Sequence, residues 1–366
     1  MFDQDAGRET SVSEASPKLL YPFHFLASWL DRNASDNPHL RRFSRKIYRC
    51  SFPRSFKHLS HAGTRFALKA IPGNKAQKSI LWDGQVIGRT ASLSAIRDSA
   101  AGSCFIFATG PSIKDLDLEK LRGHKVLGVN GAIRKLQELQ IRPDYYMVTD
   151  DDFAFHRFEL LREVVAGGAK CFFAPSVLAT ICEREPAILK CSTLYLIEPV
   201  NQLYGFPRLD DPAFTALASK DSEIILRNPP GKSADRIGFS KNIQKGIFAV
   251  CTVVYGAVQV AYYTGFRHIF ILGMDLDYSG HNPRFYETVS QMRPTQIAEQ
   301  YEPTIQPAFE VLRDLCSRES LQVFNLSNKS RLPEEIMPRR SLEQALEEAR
   351  QVNDKLGLPL VAKHCL

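Results

Sequence analysis

Cysteine is present but never clustered. The eight residues Cys50, Cys104, Cys171, Cys182, Cys191, Cys251, Cys316 and Cys365 form no Cys-x-x-Cys pair and no Cys/His group. That spacing excludes a zinc ribbon and argues against a disulfide framework, so a reducing cytoplasm is expected. Cys104, Cys171 and Cys251 fall in apolar runs, where a thiol is a small core side chain. A membrane span is also lacking. Leu19 to Leu30 is too short, and the 21 uncharged residues from Gly246 to Phe266 are interrupted by Tyr255, Gln259, Tyr262 and Tyr263. A helix buried against a sheet is expected there instead. Met1 to Ser16 has no apolar stretch of the kind a secretion signal carries; polar and net acidic, it reads as a disordered tail.

Acid is scarce in one region only. Between Pro17 and Ala100 there are 15 Lys/Arg against Asp31, Asp36, Asp83 and Asp98, a net of +11, while the whole chain carries +7. The segment Leu40 to Lys69 interleaves these cations with Phe, Tyr and Leu. Such a pattern suits an anionic membrane surface, with basic heads on lipid phosphates and aromatics at the interface. Nucleic acid would use the same charges, but no nucleic-acid-binding motif is present and none is expected to bind. A solvated basic extension is the plain alternative.

What remains is a long α/β pattern. With 366 residues and 44% hydrophobic content the chain can bury a large core. Residues 17–78 read as an irregular, partly helical basic arm, and Ile80 to Gly88 as a β-hairpin turning at Asp83-Gly84. From Cys104, strands at 104–108, 125–129, 144–149, 170–174, 193–197, 268–272 and 322–326 alternate with helices at 115–122, 132–140, 156–166, 176–183, 246–264, 297–317 and 341–353. This alternation predicts a Rossmann-like, mostly parallel sheet with helices on both faces over 101–340, with ligand at the carboxyl ends of the strands. The segment 201–245 is a lid or a plain surface insertion. Residues 341–366 form a C-terminal helix and tail.

Polar and small residues recur just past the strands. The first is followed by Thr109-Gly110-Pro111-Ser112, a turn that opens a helical pattern and is suited to phosphate through free N–H groups. The second is followed by Asn130, able to donate and accept on a base or sugar edge. The third leads into Thr149-Asp150-Asp151-Asp152, and the penultimate into Gly273-Met274-Asp275-Leu276-Asp277-Tyr278, then Ser279-Gly280-His281. Thr109, Gly110, Pro111, Ser112, Asn130, Asp150 and Asp275 are therefore candidate nucleotide-binding residues. The aspartate run keeps Mg²⁺ open as an option, since clustered carboxylates are its usual ligands.

The pieces FATGPSIKDLDLEKL, VLGVNGA, PDYYMVTDDD, AYYTGFRHIFILGMDLDY and VFNLSNKSRLPEEI resemble one superfamily over about residues 103–340. It comprises bacterial CMP-sialic acid-dependent sialyltransferases of the lipooligosaccharide type and the motility-accessory-factor (6-hydroxymethylpterin diphosphokinase-like) domain, and several lipopolysaccharide core biosynthesis proteins share its layout. The resemblance implies that Gly110-Pro111-Ser112 contacts a nucleotide phosphate and that Asn130 lies near nucleotide and sugar. It also implies that Thr252 binds the nucleotide, that Tyr278 and Tyr286 support the departing phosphate, and that His281 is the catalytic base. Two departures stand out: Thr109 replaces the usual asparagine, and His281 lies closer to the tyrosines than the family's histidine does.

The implied activity is transfer of an acidic sugar, of sialic acid or Kdo type, from a CMP-activated donor to a lipid-linked saccharide such as lipopolysaccharide core. No resident cofactor is expected, because the leaving CMP phosphate can be stabilised by helix-end N–H groups and tyrosines. The expected location is cytoplasmic, attached peripherally to the inner face of the cell membrane through 17–78; homo-oligomerisation is left open. Two alternatives stand beside it: a pterin diphosphokinase-like enzyme using ATP with Mg²⁺, and a non-catalytic surface or scaffolding module.

Overall fold

The computed structural model describes residues 26–27, 29–30, 38–62, 65–227, 237–277, 284–288, 290 and 295–358. The 1–16 tail, Tyr278 and His281 lie outside these residues. Helix α1 (Pro38–Cys50) leads through a 3-10 segment to β1 (Phe66–Ile71), β2 (Asn74–Trp82) and β3 (Gln85–Arg89), an antiparallel sheet. The β2–β3 turn puts Asp83 (φ 48°) and Gly84 (φ 80°) in left-handed backbone, as a two-residue Asp-Gly hairpin requires. Residues 66–78, expected to be irregular and partly helical, are thus β1 and most of β2. Phe66, Leu68 and Ile80 bury one face of this hairpin in the main core, and that tertiary contact stabilises strands a basic composition obscures.

The main body follows as β4 (Ser103–Phe107), β5 (Val126–Val129), α2 (Ile133–Glu138), β6 (Tyr145–Val148), α3 (Asp151–His156), α4 (Phe158–Ala166), β7 (Lys170–Phe173), α5 (Pro175–Arg184) and β8 (Thr193–Leu196). Next come α6 (Asp211–Ala218), β9 (Ile224–Leu226), β10 (Gly238–Ser240), α7 (Val253–Thr264), β11 (His268–Leu272), α8 (Ile297–Gln300), α9 (Gln306–Cys316), β12 (Gln322–Asn325) and α10 (Leu342–Lys355). Seven strands form one parallel sheet in the order β12-β11-β4-β5-β6-β7-β8. Connections run one way from β4 to β8 and then cross to β11 on the other side of β4. The order reverses between β4 and β11, and at such a switch a crevice opens at the strands' carboxyl ends.

Alternate strand residues enter two separate cores. Ile106, Leu127, Met147, Phe172 and Ile271 pack with α7 and α9 on one face. Phe105, Val126, Tyr146, Phe173 and Phe270 pack with α2 to α5 and α10 on the other. Strands buried on both sides read as unbroken apolar runs, which is why Cys104-Phe105-Ile106-Phe107 contains no polar position.

Three helical expectations change in detail. The pattern at 115–122 becomes two 3-10 turns, Pro111–Asp115 and Leu118–Leu121, because Leu116 takes extended angles (φ −108°, ψ 141°). The uncharged helix begins at Val253 rather than Gly246. Gly246 (φ 97°) and Cys251 (φ 59°) are left-handed, and Thr252 is extended. Gly246 is obligatory there, since a Cβ would lie 2.7 Å from the Val200 backbone. The 156–166 pattern breaks at Arg157 (φ −129°, ψ 42°) into α3 and α4.

Gln259, the polar interruption in α7, is fully buried. Its Oε1 accepts from the N–H groups of Ser240 (3.1 Å) and Phe248 (3.0 Å), and its Nε2 donates to the carbonyls of Phe248 and Tyr255 (both 3.1 Å). Through it the 201–245 segment is tied to the core: Phe214 and Phe239 are fully buried, so the described part of this segment is a packed element. Among the described residues no helix is long and apolar enough to cross a membrane.

Candidate active site

The strand ends meet in a cleft of about 240 Å³ at the β4/β11 switch point. Ala108 and Thr109 follow β4, Val129 and Asn130 follow β5, and Thr149 and Asp150 follow β6. Gly273 to Leu276 follow β11, and Cys251 to Val254 bring in the N-terminus of α7. Arg284, Thr295 and Ile297 complete the rim.

Five candidates from the sequence therefore line one cleft: Thr109, Asn130, Asp150, Thr252 and Asp275. Gly110, Pro111 and Ser112 stand behind it. The expectation that their turn leaves N–H groups free for phosphate is not met. Ser112 N–H donates to Asp275 Oδ2 (2.9 Å), Ser112 Oγ–H donates to Asp275 Oδ1, and Gly110 N–H donates to the Gly273 carbonyl (2.8 Å). Pro111 has no N–H to offer. An internal carboxylate thus occupies the turn's electropositive end and joins the ends of β4 and β11. Gly110 permits this approach, since a Cβ would meet Gly273 O at 2.5 Å and Asp275 Oδ2 at 2.6 Å.

Three cleft residues other than glycine adopt left-handed backbone: Asn130 (φ 45°), Cys251 (φ 59°) and Leu276 (φ 56°). Such conformations cost about 1–3 kcal/mol each and concentrate at functional sites. Asn130 is held in place by Tyr146, whose hydroxyl donates to the Asn130 carbonyl (2.7 Å) and accepts from Ile133 N–H (2.7 Å). Burial pushes the Tyr146 hydroxyl well above its ordinary range, so it stays a donor. Asn130 Oδ1 is itself buried with no hydrogen-bond partner among the described residues. It is an acceptor in the cleft wall, suited to a ligand donor.

Asp150 caps α3, its Oδ1 accepting from the N–H groups of Asp152 (2.9 Å) and Phe153 (3.1 Å). Asp150 is exposed overall, yet the surrounding protein partly desolvates its carboxyl. That desolvation, reinforced by Asp151 and Asp152, holds its pKa above the usual carboxylate value, against the pull of the Phe153 N–H and of Arg284. Its exposure limits the shift until a substrate covers it. Thr252 is the residue before the first turn of α7, and its side chain makes no capping bond there. The first N–H groups of that twelve-residue helix face the cleft side of the fold, where a helix dipole favours an anion.

Tyr286 does not line the cleft but supports it. Its ring lies where a Cβ on Gly131 would fall, 2.2 Å from the ring, and it packs edge-on to Phe153 with centroids 6.4 Å apart. Among the described residues no three His, Cys, Asp or Glu side chains form a metal-holding group. Sequence reasoning missed Arg284 and Thr295, and it placed Cys251 in the core, whereas Cys251 is exposed and lines the cleft. Arg284 carried one usable signal: it is the only Lys or Arg between Arg267 and Arg293.

The chain resembles known proteins over most of its length. A family described as 3-deoxy-D-manno-octulosonic acid transferase WaaZ matches residues 87–343, nearly the span over which the motifs resemble lipopolysaccharide core proteins. A protein of Salmonella typhimurium named "Probable 3-deoxy-manno-octulosonic acid transferase" is 26% identical over 246 residues, covering 67% of this chain and 89% of its own. An Escherichia coli K12 protein of the same name is 23% identical over 267 residues, covering 71% and 90%. The solved MAf glycosyltransferase from Magnetospirillum magneticum AMB-1 aligns with 90% of this chain at 15% identity and a TM-score of 0.39; the chain spans half of that protein's length.

Proposed function

The chain belongs to the 3-deoxy-D-manno-octulosonic acid transferase WaaZ family, and from that premise we propose that it moves a Kdo residue from CMP-Kdo to a lipopolysaccharide core saccharide. The observation that carries this reading is the strand-end cleft, which gathers an orphaned acceptor, a crowded carboxylate and a helix N-terminus at the sheet's switch point.

In this proposal the nucleotide phosphate lies at the N-terminus of α7, beside the Thr252 hydroxyl, because Asp275 already fills the Gly110-Pro111-Ser112 turn. Asn130 Oδ1 accepts a hydrogen bond from the cytosine amino group or a sugar hydroxyl. Asp150 takes the proton from the acceptor hydroxyl as that oxygen bonds to the anomeric carbon. The bond from that carbon to the phosphate oxygen breaks, and its electron pair leaves with CMP. A carboxylate held above its usual pKa is a better base at neutral pH than an ordinary one. The developing charge on CMP is stabilised by helix N–H groups and the Thr252 hydroxyl, without a resident cofactor. Tyr286 acts through Gly131, shaping the Asn130 turn.

The basic arm supplies the route to a lipid-linked acceptor. Helix α1 contains five Lys/Arg and no acid, with Lys46 and Arg49 exposed, and Leu26, Trp29 and Phe43 are 45%, 55% and 54% exposed. Cations beside exposed aromatics fit an anionic bilayer at the inner face of the membrane, each Lys or Arg contributing about 1 kcal/mol near the surface.

The deciding experiment is a thermal-shift panel of CMP, CDP, UDP, GDP and ATP, with and without Mg²⁺, followed by mass spectrometry of core saccharide incubated with CMP-Kdo. CMP should stabilise the protein selectively, and the acceptor should gain one Kdo residue. Selective stabilisation by UDP with metal, or by ATP with Mg²⁺, would overturn the reading.

A further inference from the structure

Filling the Gly110-Pro111-Ser112 turn with an internal carboxylate raises a question of charge. The described cleft lining carries two carboxylates, Asp150 and Asp275, and a single Lys or Arg, namely Arg284. A nucleotide-activated acidic sugar brings a phosphate and a carboxylate into that space. Two acidic side chains oppose such a ligand, and a guanidinium presents a planar fork of donors matched to either oxyanion.

Arg284 is built into the cleft and is not a surface cation, its side chain being only 17% exposed. It is near enough to Asp150 to pull that carboxyl's pKa down, so its charge is felt at the proposed reaction centre. The residues after it are anchored. Phe285 N–H donates to the Thr109 carbonyl at the end of β4 (3.2 Å), and Tyr286 packs on Gly131 after β5. Glu287, with its side chain only 4% exposed, places its carboxylate oxygens 3.3 and 3.4 Å from Arg284 Nη1 and 3.7 Å from Arg157 Nη2. One buried carboxylate thus bridges two guanidiniums and restrains the one that lines the cleft.

We propose that Arg284 is the anion-recognition residue of the donor subsite, gripping an oxyanion of the nucleotide sugar, with Glu287 as its positioning residue. This rests on the reading of the cleft as a nucleotide-sugar site. The oxyanion is either the phosphate or the sugar's carboxylate.

The test is calorimetric titration of the full-length protein and its Arg284→Gln, Arg284→Lys and Glu287→Gln variants. The ligands are CMP, UDP and GDP, their nucleosides, free 3-deoxy-manno-octulosonic acid and its methyl ester. Arg284→Gln should weaken the best-binding charged ligand by about 10- to 100-fold, the usual worth of a hydrogen bond to a charged group. It should leave the uncharged counterpart unchanged. Loss confined to nucleotides assigns the phosphate; loss confined to the free acid assigns the carboxylate. Glu287→Gln should weaken the same ligand by a smaller factor, and Arg284→Lys should retain part of the affinity. If Arg284→Gln does not fold, Arg284→Lys decides by the same charged-against-uncharged split. Equal weakening of charged and uncharged ligands would reduce Arg284 to a structural role and overturn the proposal. Unchanged nucleotide and acid binding in Arg284→Gln would overturn it while leaving the nucleotide-sugar reading intact. Failure of the unmodified protein to bind any nucleotide or the free acid would overturn both.

Discussion

Replacing Asp150 by asparagine separates the two roles assigned to this side chain. As a cap, Asp150 uses one oxygen to accept the N–H groups of Asp152 and Phe153. Asparagine keeps that oxygen and caps as well as aspartate. The charge lost at the helix N-terminus costs about 0.3–1 kcal/mol, and this is offset by relief from crowding and from Asp151 and Asp152. Stability should therefore stay within about 1 kcal/mol, a melting-temperature change of about 1–2 °C at this chain size. Asp150→Ala removes the cap as well and should lose about 1 kcal/mol.

Activity should behave differently. Loss of a general base lowers kcat by about 10²- to 10⁴-fold, measured as CMP release in the presence of acceptor. The pH behaviour supplies a second check. The folded pKa of Asp150 lies above its unfolded value, so the stability this group contributes is present at low pH and is lost as pH rises through the folded value. The melting temperature of Asp150→Asn relative to the unmodified protein should accordingly improve as pH rises above the ordinary carboxylate range. The acid limb of kcat/KM should vanish in the variant. Near-normal kcat in Asp150→Asn would refute the assignment of the base, and collapse of the fold would refute the assignment of the cap.

Gly110→Ala should destabilise the protein by about 1–3 kcal/mol, because its Cβ meets a carbonyl and a carboxylate at 2.5–2.6 Å. The gain of about 0.4–1 kcal/mol from a stiffer unfolded chain does not offset that clash; urea unfolding measures the balance. Gln259→Leu strands the buried N–H groups of Ser240 and Phe248 at about 1–3 kcal/mol each. Despite a more apolar helix it should lower the urea midpoint, and a rise would refute the role given to Gln259. Phe43→Ser combined with Lys46→Glu should weaken sedimentation with anionic vesicles at low salt and leave CMP binding unaltered. Equal sedimentation would remove the membrane role of the arm.

Period and composition made the sheet legible. All seven strands of the parallel sheet were readable within one or two residues because each is buried on both faces and needs an unbroken apolar run. The β2–β3 turn was readable because Asp-Gly tolerates the left-handed backbone it requires. β1 was not, since Lys69 is exposed and only Phe66 and Leu68 turn inward. The start of α7 was hidden by an apolar run that continues through a loop, and nothing in Gly246 to Thr252 except one glycine marks the difference.

The site divides along the same line. The sequence by itself determined which strand ends bear polar residues, because those residues follow each strand directly, and it thereby pointed to Thr109, Asn130, Asp150 and Asp275. Only the tertiary structure decided what they do to one another. Asp275 is 163 residues from Ser112 along the chain, yet its carboxylate fills the turn that local pattern offered to phosphate. Arg284 comes to the cleft because Phe285 bonds to Thr109 and buried Glu287 holds its guanidinium. A local pattern encodes backbone and burial, whereas a charge's partner depends on distance in space, and that is set only when strands far apart in sequence are brought side by side.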